Sequence, residues 1–329
     1  MEPFMDPAEQ YAMFATDARD SPCFSEWAAA VARDEEVLAW LATLPPIKQQ
    51  PNLVFAAARW HGVPAPGPYD ALRSALLDDD GTIRETILSR STQTNEAGRM
   101  ATLLPAITSL GLEGPISLLE VGASAGLCLY PDRWGYAWRT EAGEVRLGGE
   151  PRLTCAVRGA LPPLPDRLPE VAWRGGLDLN PGDVTDEDAM AWLENLVWPE
   201  QDERRERLRH AIAIARAEPP RLVRGDLLSD LPDLLEVAAG QGPVVVFHSA
   251  VVAYLEPEGR ERFHDLMTGL VADGACHWVS NEGKGVLPRI TETGPPVPEG
   301  HPTFVTGVDG RAVAWTHGHG RSLRWVAGS

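Results

Sequence analysis

The sequence contains only four cysteines among its 329 residues, and no two of them form a C-x-x-C pair. A disulfide scaffold or a zinc cluster needs more cysteines at shorter spacing. Long apolar runs are also missing, because no stretch approaches the roughly 18 residues that a membrane helix needs. These absences predict reduced, mostly buried thiols, no metal site and no membrane segment.

Positive charge is scarce, because 29 Lys and Arg stand against 47 Asp and Glu, which leaves a formal net charge of −18. This average field repels a phosphate backbone, so nucleic acid is not expected as a partner. Residues 1–6 are acidic and lack the apolar segment of a secretory signal, so a cytoplasmic location is expected. A small molecule is therefore the expected partner, and the sequence is silent on oligomeric state.

The spacing of apolar residues changes along the chain. Through residues 1–110 they recur at helical spacing between prolines, which predicts a helical N-terminal region that serves as a lid or substrate region. Across residues 111–329, strand-like runs alternate with helical stretches. This alternation predicts an α/β domain with a Rossmann-like, mostly parallel sheet.

Two segments depart from the alternation. The last two strand-like runs are separated only by Asp309 and Gly310, which predicts an antiparallel hairpin at the end of the sheet. Residues 134–169 fit neither pattern. We interpret them as an insertion that includes a short hairpin around Ala142 and Gly143.

The most informative stretch covers residues 116–126 and reads ISLLEVGASAG. An apolar run, the acid Glu120, and glycines spaced by small residues are typical of a strand that enters a tight turn and then a helix. We call residues 122–126 the glycine turn. Such a turn either holds a nucleotide-type cofactor or, as G-x-S-x-G around Ser124, presents a nucleophile. A plain turn that needs glycine for packing is the third interpretation.

A cofactor explains more of this stretch than a nucleophile does. A nucleophile turn follows several strands and an oxyanion-hole loop, whereas only helical patterns precede Ser124. In the cofactor interpretation, Gly122 permits the sharp turn and Gly126 lets a helix start close to the strand. Small residues such as Ala123 let a ligand approach the backbone. The N-terminus of the following helix would offer free N–H groups to a carboxylate or phosphate.

Residues 100–329 resemble the class I S-adenosylmethionine-dependent methyltransferases, whose sheet is parallel and closes with an antiparallel hairpin, and residues 116–126 resemble their first motif. Nearly the whole chain also resembles an uncharacterised bacterial family, domain-of-unknown-function family 2332, which brings no known reaction. The segments behind this second resemblance are RSTQTNEAGR at 90–99, EVGASAG at 120–126, RGGLDLNP at 174–181, VRGD at 223–226 and FHSA at 247–250.

The methyltransferase resemblance implies S-adenosylmethionine as cofactor and gives roles to several acids. Glu120 would orient the turn or the amino end of the methionine, and Asp226 would contact the adenine amine. A ribose needs a carboxylate at the tip of a neighbouring strand, which Asp178 would supply, although it lies much further on than the usual gap of about 20 residues. Glu141 stands nearer that spacing and remains the rival. The structural alternatives are a turn-forming Asp178 and a helix-capping Asp226.

Candidate groups for the reaction follow the later strands. His248 ends a buried strand-like run and could act as a general base, since an unperturbed imidazole pKa of about 6.5 suits proton transfer. A satisfied histidine at a strand end is the alternative. Glu282 is a second candidate base, and Asn281 before it is a candidate for substrate binding. A polar cluster is expected on one helix, and it could either bind substrate or dock the helical region. Its members are Gln93, Asn95, Glu96 and Arg99.

The combined interpretation is an S-adenosylmethionine-dependent methyltransferase that acts on a small molecule. A non-catalytic module that binds S-adenosylmethionine or a nucleotide is the first alternative, and a serine hydrolase that uses Ser124 is the second. The sequence does not identify the acceptor or the atom that is methylated. The expected cofactor-binding residues are Glu120, Gly122, Ala123, Ser124, Gly126, Asp178 and Asp226.

Overall fold

The structure, a computed structural model, describes residues 6–298 and 303–327. The chain divides into two compact units. The helical unit consists of the residues up to Thr94 together with Thr185–Arg209, and the sheet unit consists of Asn95–Val184 together with the residues from His210 onward. This division differs from the expected boundary at residue 110, because residues 95–110 belong to the sheet unit and the later segment 185–209 belongs to the helical one.

The described part of the helical unit contains seven complete α-helices. Four of them begin next to a side chain that accepts hydrogen bonds from the free N–H groups of the first turn. These capping residues are Asp6, Ser21, Asp34 and Asp186. The seven helices are α1 (Pro7–Asp17), α2 (Pro22–Val31), α3 (Glu35–Leu41), α4 (Pro51–Trp60), α5 (Tyr69–Leu77), α6 (Thr82–Ser89) and α8 (Glu187–Leu196).

Phe55 of α4 lies at the centre of an aromatic core in the helical unit. Its ring centroid is 5.1 Å from that of Phe24, 5.4 Å from that of Trp27 and 5.8 Å from that of Tyr11. All four side chains are buried. Edge-to-face pairs of this kind contribute about 0.5–1.5 kcal/mol each beyond their buried area, so the apolar periodicity of residues 1–94 corresponds to a real core.

Within the described residues, the sheet unit contains one sheet of eleven strands. The strands are β1 (Ile116–Val121), β2 (Gly135–Thr140), β3 (Gly143–Leu147), β4 (Arg152–Gly159), β5 (Val171–Asp178), β6 (Arg221–Arg224), β7 (Val244–Ser249), β8 (His277–Gly283), β9 (Phe304–Val308), β10 (Arg311–Thr316) and β11 (Ser322–Trp325). Their order is β3-β2-β4-β11-β10-β9-β8-β7-β1-β5-β6. The five neighbouring strands β6, β5, β1, β7 and β8 are parallel, and β9 and β10 form an antiparallel hairpin. The expected mostly parallel α/β sheet is therefore confirmed.

Helices cover both faces of the sheet. Leu119 and Val121 of β1 pack in one apolar cluster with α10 (Leu231–Ala239) and α11 (Pro257–Ala272). Because side chains alternate along a strand, Leu118 and Glu120 point to the other face, where α7 (Met100–Thr108) lies. The remaining α-helices are α7 (Met100–Thr108), α9 (Asp202–Ala217), α10 (Leu231–Ala239), α11 (Pro257–Ala272) and α12 (Pro288–Thr291).

Strand β1 lies where the chain order of the sheet reverses, because its neighbours are β5 on one side and β7 on the other. Open α/β sheets bind ligands beyond the carboxyl ends of their strands at such a reversal. The glycine turn follows β1 at this point, with Asp178 at the end of β5 and Ser249 at the end of β7. We call Asp178, the glycine turn and residues 249–251 the switch edge.

The sequence predicts a helix directly after the glycine turn, and this prediction is wrong. Within the described chain, residues 127–130 form turns, a short 3-10 helix follows at Pro131–Arg133, and β2 then begins. The apolar segment is only four residues long before Pro131, and a proline disfavours the α conformation in the residue before it. All four apolar residues are buried, so the segment packs on every side instead of forming one face of a helix.

Residues 134–169 extend the sheet. The expected hairpin is present as β2 and β3, and the unexpected strands β4 and β11 join it to the rest of the sheet. The chain passes through β2, β3 and β4 before it returns to β5, which explains the late position of Asp178. A period-2 signal for β4 was available in the sequence, since its buried residues are Leu153, Cys155 and Val157.

Gly122 provides a test of how tightly the switch edge packs. Its φ is 69°, and a Cβ at this position would overlap the side chain of Val251. We expect Gly122→Ala to lower the free energy of unfolding in urea by about 2–5 kcal/mol, from left-handed strain and overpacking together. The matched control is Gly111→Ala, where φ is 65° and no atom lies within 4 Å, so only the strain of about 1–2 kcal/mol applies.

Adding Val251→Ala to Gly122→Ala should restore part of the lost stability, because it removes the overlapping atoms. Equal losses for Gly122→Ala and Gly111→Ala would contradict the packing at the switch edge.

Candidate functional site

Backbone strain is concentrated at the switch edge. Among the described non-glycine residues, three have positive φ, and two of these follow β1 and β7: Ser124 at 50° and Ala250 at 59°. Non-glycine residues in this region cost about 1–3 kcal/mol each and cluster at functional sites. The switch edge is therefore the candidate site on backbone geometry as well as on topology.

The glycine turn is held by the end of β5. Gly122 N and Ala123 N both donate to Leu177 O, at 2.8 and 3.2 Å. Gly126 N donates to Ala123 O at 2.7 Å, which closes the turn on itself. These three bonds use backbone groups only.

Two side chains complete the hydrogen bonding of the turn. Asp178 Oδ2 accepts from Ser124 N at 2.8 Å, and its other oxygen accepts from Asn180 N at 2.7 Å. Asn95 Oδ1 accepts from Ala125 N at 3.1 Å while its Nδ2 donates to Ser124 Oγ at 2.8 Å. Every N–H group of residues 122–126 is thus paired inside the protein. The expectation of free N–H groups for a carboxylate or phosphate is wrong, because they are paired within the sheet unit and no helix starts in residues 127–130.

The small residues of the turn make room for neighbouring protein atoms. A Cβ on Gly122 would meet Val251, and one on Gly126 would meet Pro220 at 2.8 Å. Across the strand pair, Ala123 lies where a side chain on Gly176 would stand. The interpretation of the glycines as packing residues therefore accounts for both of them.

Glu120 is a buried acid on the α7 face of β1. Its exposed fraction is 6%, and its Oε2 makes no hydrogen bond to a described residue. Burial raises the pKa of Glu120 well above its ordinary value, the charge of Arg99 opposes that rise, and the carboxylate of Asp178 adds to it. The thiol of Cys128, whose own pKa burial also raises, lies beside it. Glu120 therefore keeps a buried oxygen that no described group satisfies by a hydrogen bond.

The prediction that the polar cluster lies on one face of a helix is wrong. Residues 91–96 are not helical, and a short 3-10 helix begins only at Ala97. The irregular backbone lets Asn95 reach the glycine turn and buries Glu96 and Arg99. Gln93 belongs to the helical unit.

Arg99 connects two loops at the carboxyl edge of the sheet. Its Nη1 donates to Ser249 O at 3.0 Å, and its Nε donates to Gly318 O at 2.8 Å. Beside it, Glu96 Oε2 lies 3.5 Å from Nδ1 of His319, whose side chain is 29% exposed. The sequence does not predict the pair of Glu96 and His319. Residues this far apart leave no local pattern, and the same holds for Arg99 and Gly318, which are 219 residues apart.

The structure brings His248 and Glu282 together but on the opposite face from Glu120. His248 Nδ1 lies 2.8 Å from Glu282 Oε1, and the two side chains are 0% and 2% exposed. The imidazole contacts Phe263 and Trp278 of the apolar cluster below α10 and α11. Both proposed bases are therefore separated from Glu120 by the sheet itself.

Asn281 is fully buried and bonded within the sheet. Its Oδ1 accepts from the hydroxyls of Thr306 and Thr316, at 3.0 and 2.7 Å, and its Nδ2 donates to Ser249 Oγ at 2.8 Å. Three of its four hydrogen-bonding positions are used in this way. Its observed role is to join β7, β8, β9 and β10.

The two remaining acids lie in different places. Asp226 follows β6 at the carboxyl edge, where its Oδ1 accepts from Leu228 N at 2.8 Å in a local turn. Glu141 is exposed in the turn between β2 and β3, near the far edge of the sheet. Of the two ribose candidates, the structure brings Asp178 and not Glu141 to the glycine turn.

Two cavities lie at the other end of the strands. One, of about 490 Å³, is lined by Pro243 and His277, and the other, of about 530 Å³, is lined by Ile116 and Glu170. These residues stand at or before the amino ends of β7, β8, β1 and β5. Neither cavity includes a residue of the switch edge, so the switch edge is a candidate site on topology and backbone geometry and not on the evidence of these two cavities.

The cysteines, the potential metal ligands and the helix lengths also bear on expectations from the sequence. All four cysteines are free and buried, as expected. No three potential metal ligands come together in the described parts of the chain. Among the helices in residues 6–298 and 303–327, none combines the length and apolar character needed to cross a membrane.

The fold and the switch edge define an α/β protein with a strained, acid-lined reversal point in a mostly parallel sheet. Residues 8–325 match the family described as "Uncharacterized protein conserved in bacteria (DUF2332)". Because the match spans nearly the whole chain, the protein belongs to this family. No curated protein matches the chain.

The buried carboxyl of Glu120 predicts a specific pH dependence. Folding raises the pKa of this carboxyl above its ordinary value of 4.5. The free energy of unfolding is therefore highest below pH 4.5, where Glu120 is protonated in both states, and falls as pH rises towards the folded-state pKa. Glu120→Gln removes the titration. Its free energy of unfolding should therefore rise relative to wild type above about pH 4.5, by up to about 1.4 kcal/mol per pH unit, until the folded-state pKa is passed.

Denaturant unfolding at a series of pH values between 4.5 and 8 measures this difference, with Glu113→Gln as the control for loss of an exposed carboxyl next to the same strand. A constant difference between Glu120→Gln and wild type across the series would show that Glu120 is not the buried titrating group.

Proposed function

We propose that this protein is an S-adenosylmethionine-dependent methyltransferase with a Rossmann-like sheet, acting on a small molecule. The observation that carries the proposal is the contact between Asp178, at the end of β5, and the glycine turn after β1. It lies at the reversal of chain order, where nucleoside-binding sheets hold the ribose with an acid from the second strand. The order β6-β5-β1-β7-β8 supports the same comparison.

The charges of this region suit S-adenosylmethionine better than a dinucleotide. A pyrophosphate needs free N–H groups at a turn and a helix N-terminus, and the glycine turn has all its N–H groups paired. S-adenosylmethionine has no pyrophosphate, and beside its one carboxylate it carries a sulfonium, an ammonium group and ribose hydroxyls. Carboxylates of the protein satisfy these last three kinds of group, and the acids available are Glu120, Asp178 and Asp226.

Each acid has bonding capacity for this ligand. A carboxylate offers about four lone pairs, and Asp178 uses two of them on Ser124 N and Asn180 N. The other two can accept the hydroxyls of a ribose. Glu120 Oε2 has no protein partner among the described residues, and a nearby cation would favour its charged form. Asp226 follows the next strand along and can accept from an adenine amine.

The contribution of the protein to the reaction would be mainly positional. The bound cofactor would supply an activated methyl group. The chain would hold ligand and acceptor in line and keep water away, an effect that can lower a barrier by about 7–11 kcal/mol. The earlier hypothesis that His248 or Glu282 takes a proton from the acceptor gets no support from their position on the opposite face, and the proposal does not need it.

A non-catalytic binding module is the second candidate, and the burial of His248 and Glu282 favours it. Such a module would keep Asp178 and the glycine turn and would lack a group that handles the acceptor. Binding with no turnover across a broad acceptor panel distinguishes it from the enzyme.

Asp178→Asn tests the proposal. The substitution removes the charge and one pair of acceptor positions, and a hydrogen bond to a charged group contributes about 1.5–3 kcal/mol. We expect the Kd for S-adenosylmethionine and S-adenosylhomocysteine to rise about tenfold or more in isothermal titration. Glu141→Gln is the matched control, because that acid lies in the distant β2–β3 turn, and it should leave both Kd values unchanged.

Thermal unfolding without ligand shows whether Asp178→Asn acts through the fold. If wild-type protein gives neither heat nor a thermal shift at millimolar S-adenosylmethionine, the proposed function is wrong. If Glu141→Gln raises the two Kd values as much as Asp178→Asn does, the assignment of Asp178 as the ribose-binding acid is wrong.

The serine hydrolase alternative keeps one supporting observation, the positive φ of Ser124. A nucleophile turn holds its serine in a strained conformation of this kind. However, the side chain that contacts Ser124 Oγ is Asn95, whose amide nitrogen donates and cannot take a proton. We therefore expect no labelling of Ser124 by a fluorophosphonate probe in intact protein, measured by mass spectrometry, whereas labelling that Ser124→Ala abolishes would revive the hydrolase.

A further inference from the structure

Glu282 makes an unusual set of contacts for a buried acid. Its side chain is 2% exposed, and one oxygen, Oε1, accepts three hydrogen bonds. The donors are His248 Nδ1 at 2.8 Å, Val251 N at 3.0 Å and Val252 N at 3.1 Å. A carboxylate only accepts, so His248 Nδ1 is the donor of this contact when Glu282 is in its carboxylate form. Two of the three donors are backbone groups of the segment that follows β7.

The segment that Glu282 holds is strained. Ala250 has a φ of 59°, in the left-handed region that residues with a Cβ rarely occupy. Its N–H donates to Asn281 O at 3.1 Å, so β8 supplies a partner on both sides of the strained residue. Such a conformation persists only where the surroundings determine it. The bonds to Glu282 use the N–H groups of Val251 and Val252, whose carbonyls accept from Tyr254 N and Leu255 N.

Val251 passes this constraint to the glycine turn. Its side chain fills the space beside Gly122 that a Cβ would need. Gly122 in turn is bonded to Leu177 O, next to Asp178. A single line of contacts thus runs from the acid on the α11 face, through the backbone after β7, to the turn after β1.

We propose that Glu282, oriented by His248, is a positioning residue for the switch edge. It fixes the wall formed by residues 250–252, and through Val251 it fixes the glycine turn. It does so from the opposite face of the sheet, without touching a ligand. This assigns to the pair a structural task at the site in place of proton transfer.

The acceptor geometry of Glu282 makes the proposal testable with a matched pair of variants. Glu282→Gln keeps an Oε1 that can accept all three hydrogen bonds, whereas Glu282→Leu keeps a similar volume and removes them. Hydrogen exchange on the full-length protein without ligand measures the amides of residues 122–126, 251 and 252. We expect Glu282→Leu to raise their exchange rates tenfold or more, with α10 unchanged, and Glu282→Gln to restore wild-type rates.

Val251→Ala provides an independent measurement if Glu282→Leu does not fold. It leaves the bonds of Glu282 to the backbone intact and removes the side chain beside Gly122. Exchange should then rise at residues 122–126 and stay at the wild-type rate at residue 252. Unchanged exchange at residues 122–126 in folded Glu282→Leu would overturn the proposal, and so would unchanged exchange there in Val251→Ala or faster exchange spread evenly over the sheet unit.

Ligand binding gives a second readout, which rests on the proposed function. Titration with S-adenosylmethionine should show wild-type Kd for Glu282→Gln and a Kd at least tenfold higher for Glu282→Leu. Loss of turnover with unchanged Kd in Glu282→Gln would instead identify a proton-transfer role and overturn the positioning role. If wild-type protein does not bind the ligand, the proposed function fails, while the exchange experiment still decides the role of Glu282.

Discussion

One carboxylate holds together the part of the molecule on which the candidate site depends. Asp178 ends β5 and accepts a hydrogen bond from Ser124 N in the turn that follows β1, while Leu177 O accepts two more from the same turn. The shape of this turn is therefore set by the neighbouring strand instead of by a following helix. Because the chain passes through β2, β3 and β4 between β1 and β5, the contact joins residues 54 positions apart and depends on the pairing of β1 with β5.

The sheet separates two groups of buried polar residues at the same edge. Glu120 and Arg99 lie on the α7 face, and His248 and Glu282 lie on the face of α10 and α11. Strand alternation alone produces this separation. The first group includes the unpartnered Glu120 Oε2, and the second bonds the backbone that follows β7. Buried polar groups are costly unless satisfied, so their presence on both faces points to a functional edge.

Much of the fold could be predicted from the sequence. The sequence pattern predicts strands at residues 116–121 and 221–224 and a helix at residues 231–239, and these bounds agree with β1, β6 and α10. The hairpins β2–β3 and β9–β10 followed from their glycine-containing turns. The local pattern predicts a helix after the glycine turn, since strand-turn-helix is the usual continuation of such a motif, and Pro131 ends the apolar segment before a helix can form. Strand β11 has only four residues and left little signal.

The candidate site was predictable in its parts and not in its arrangement. Local pattern identified the glycine turn, Asp178 and the acids that follow later strands, because apolar spacing and turn chemistry are properties of neighbouring residues. Only the tertiary structure decided that Asp178 and not Glu141 meets the turn, that every N–H group of the turn is already paired, and that His248 lies across the sheet from Glu120. These outcomes depend on hydrogen bonds and strand pairs between residues far apart in the sequence, whose partners are chosen by the packing of the whole sheet.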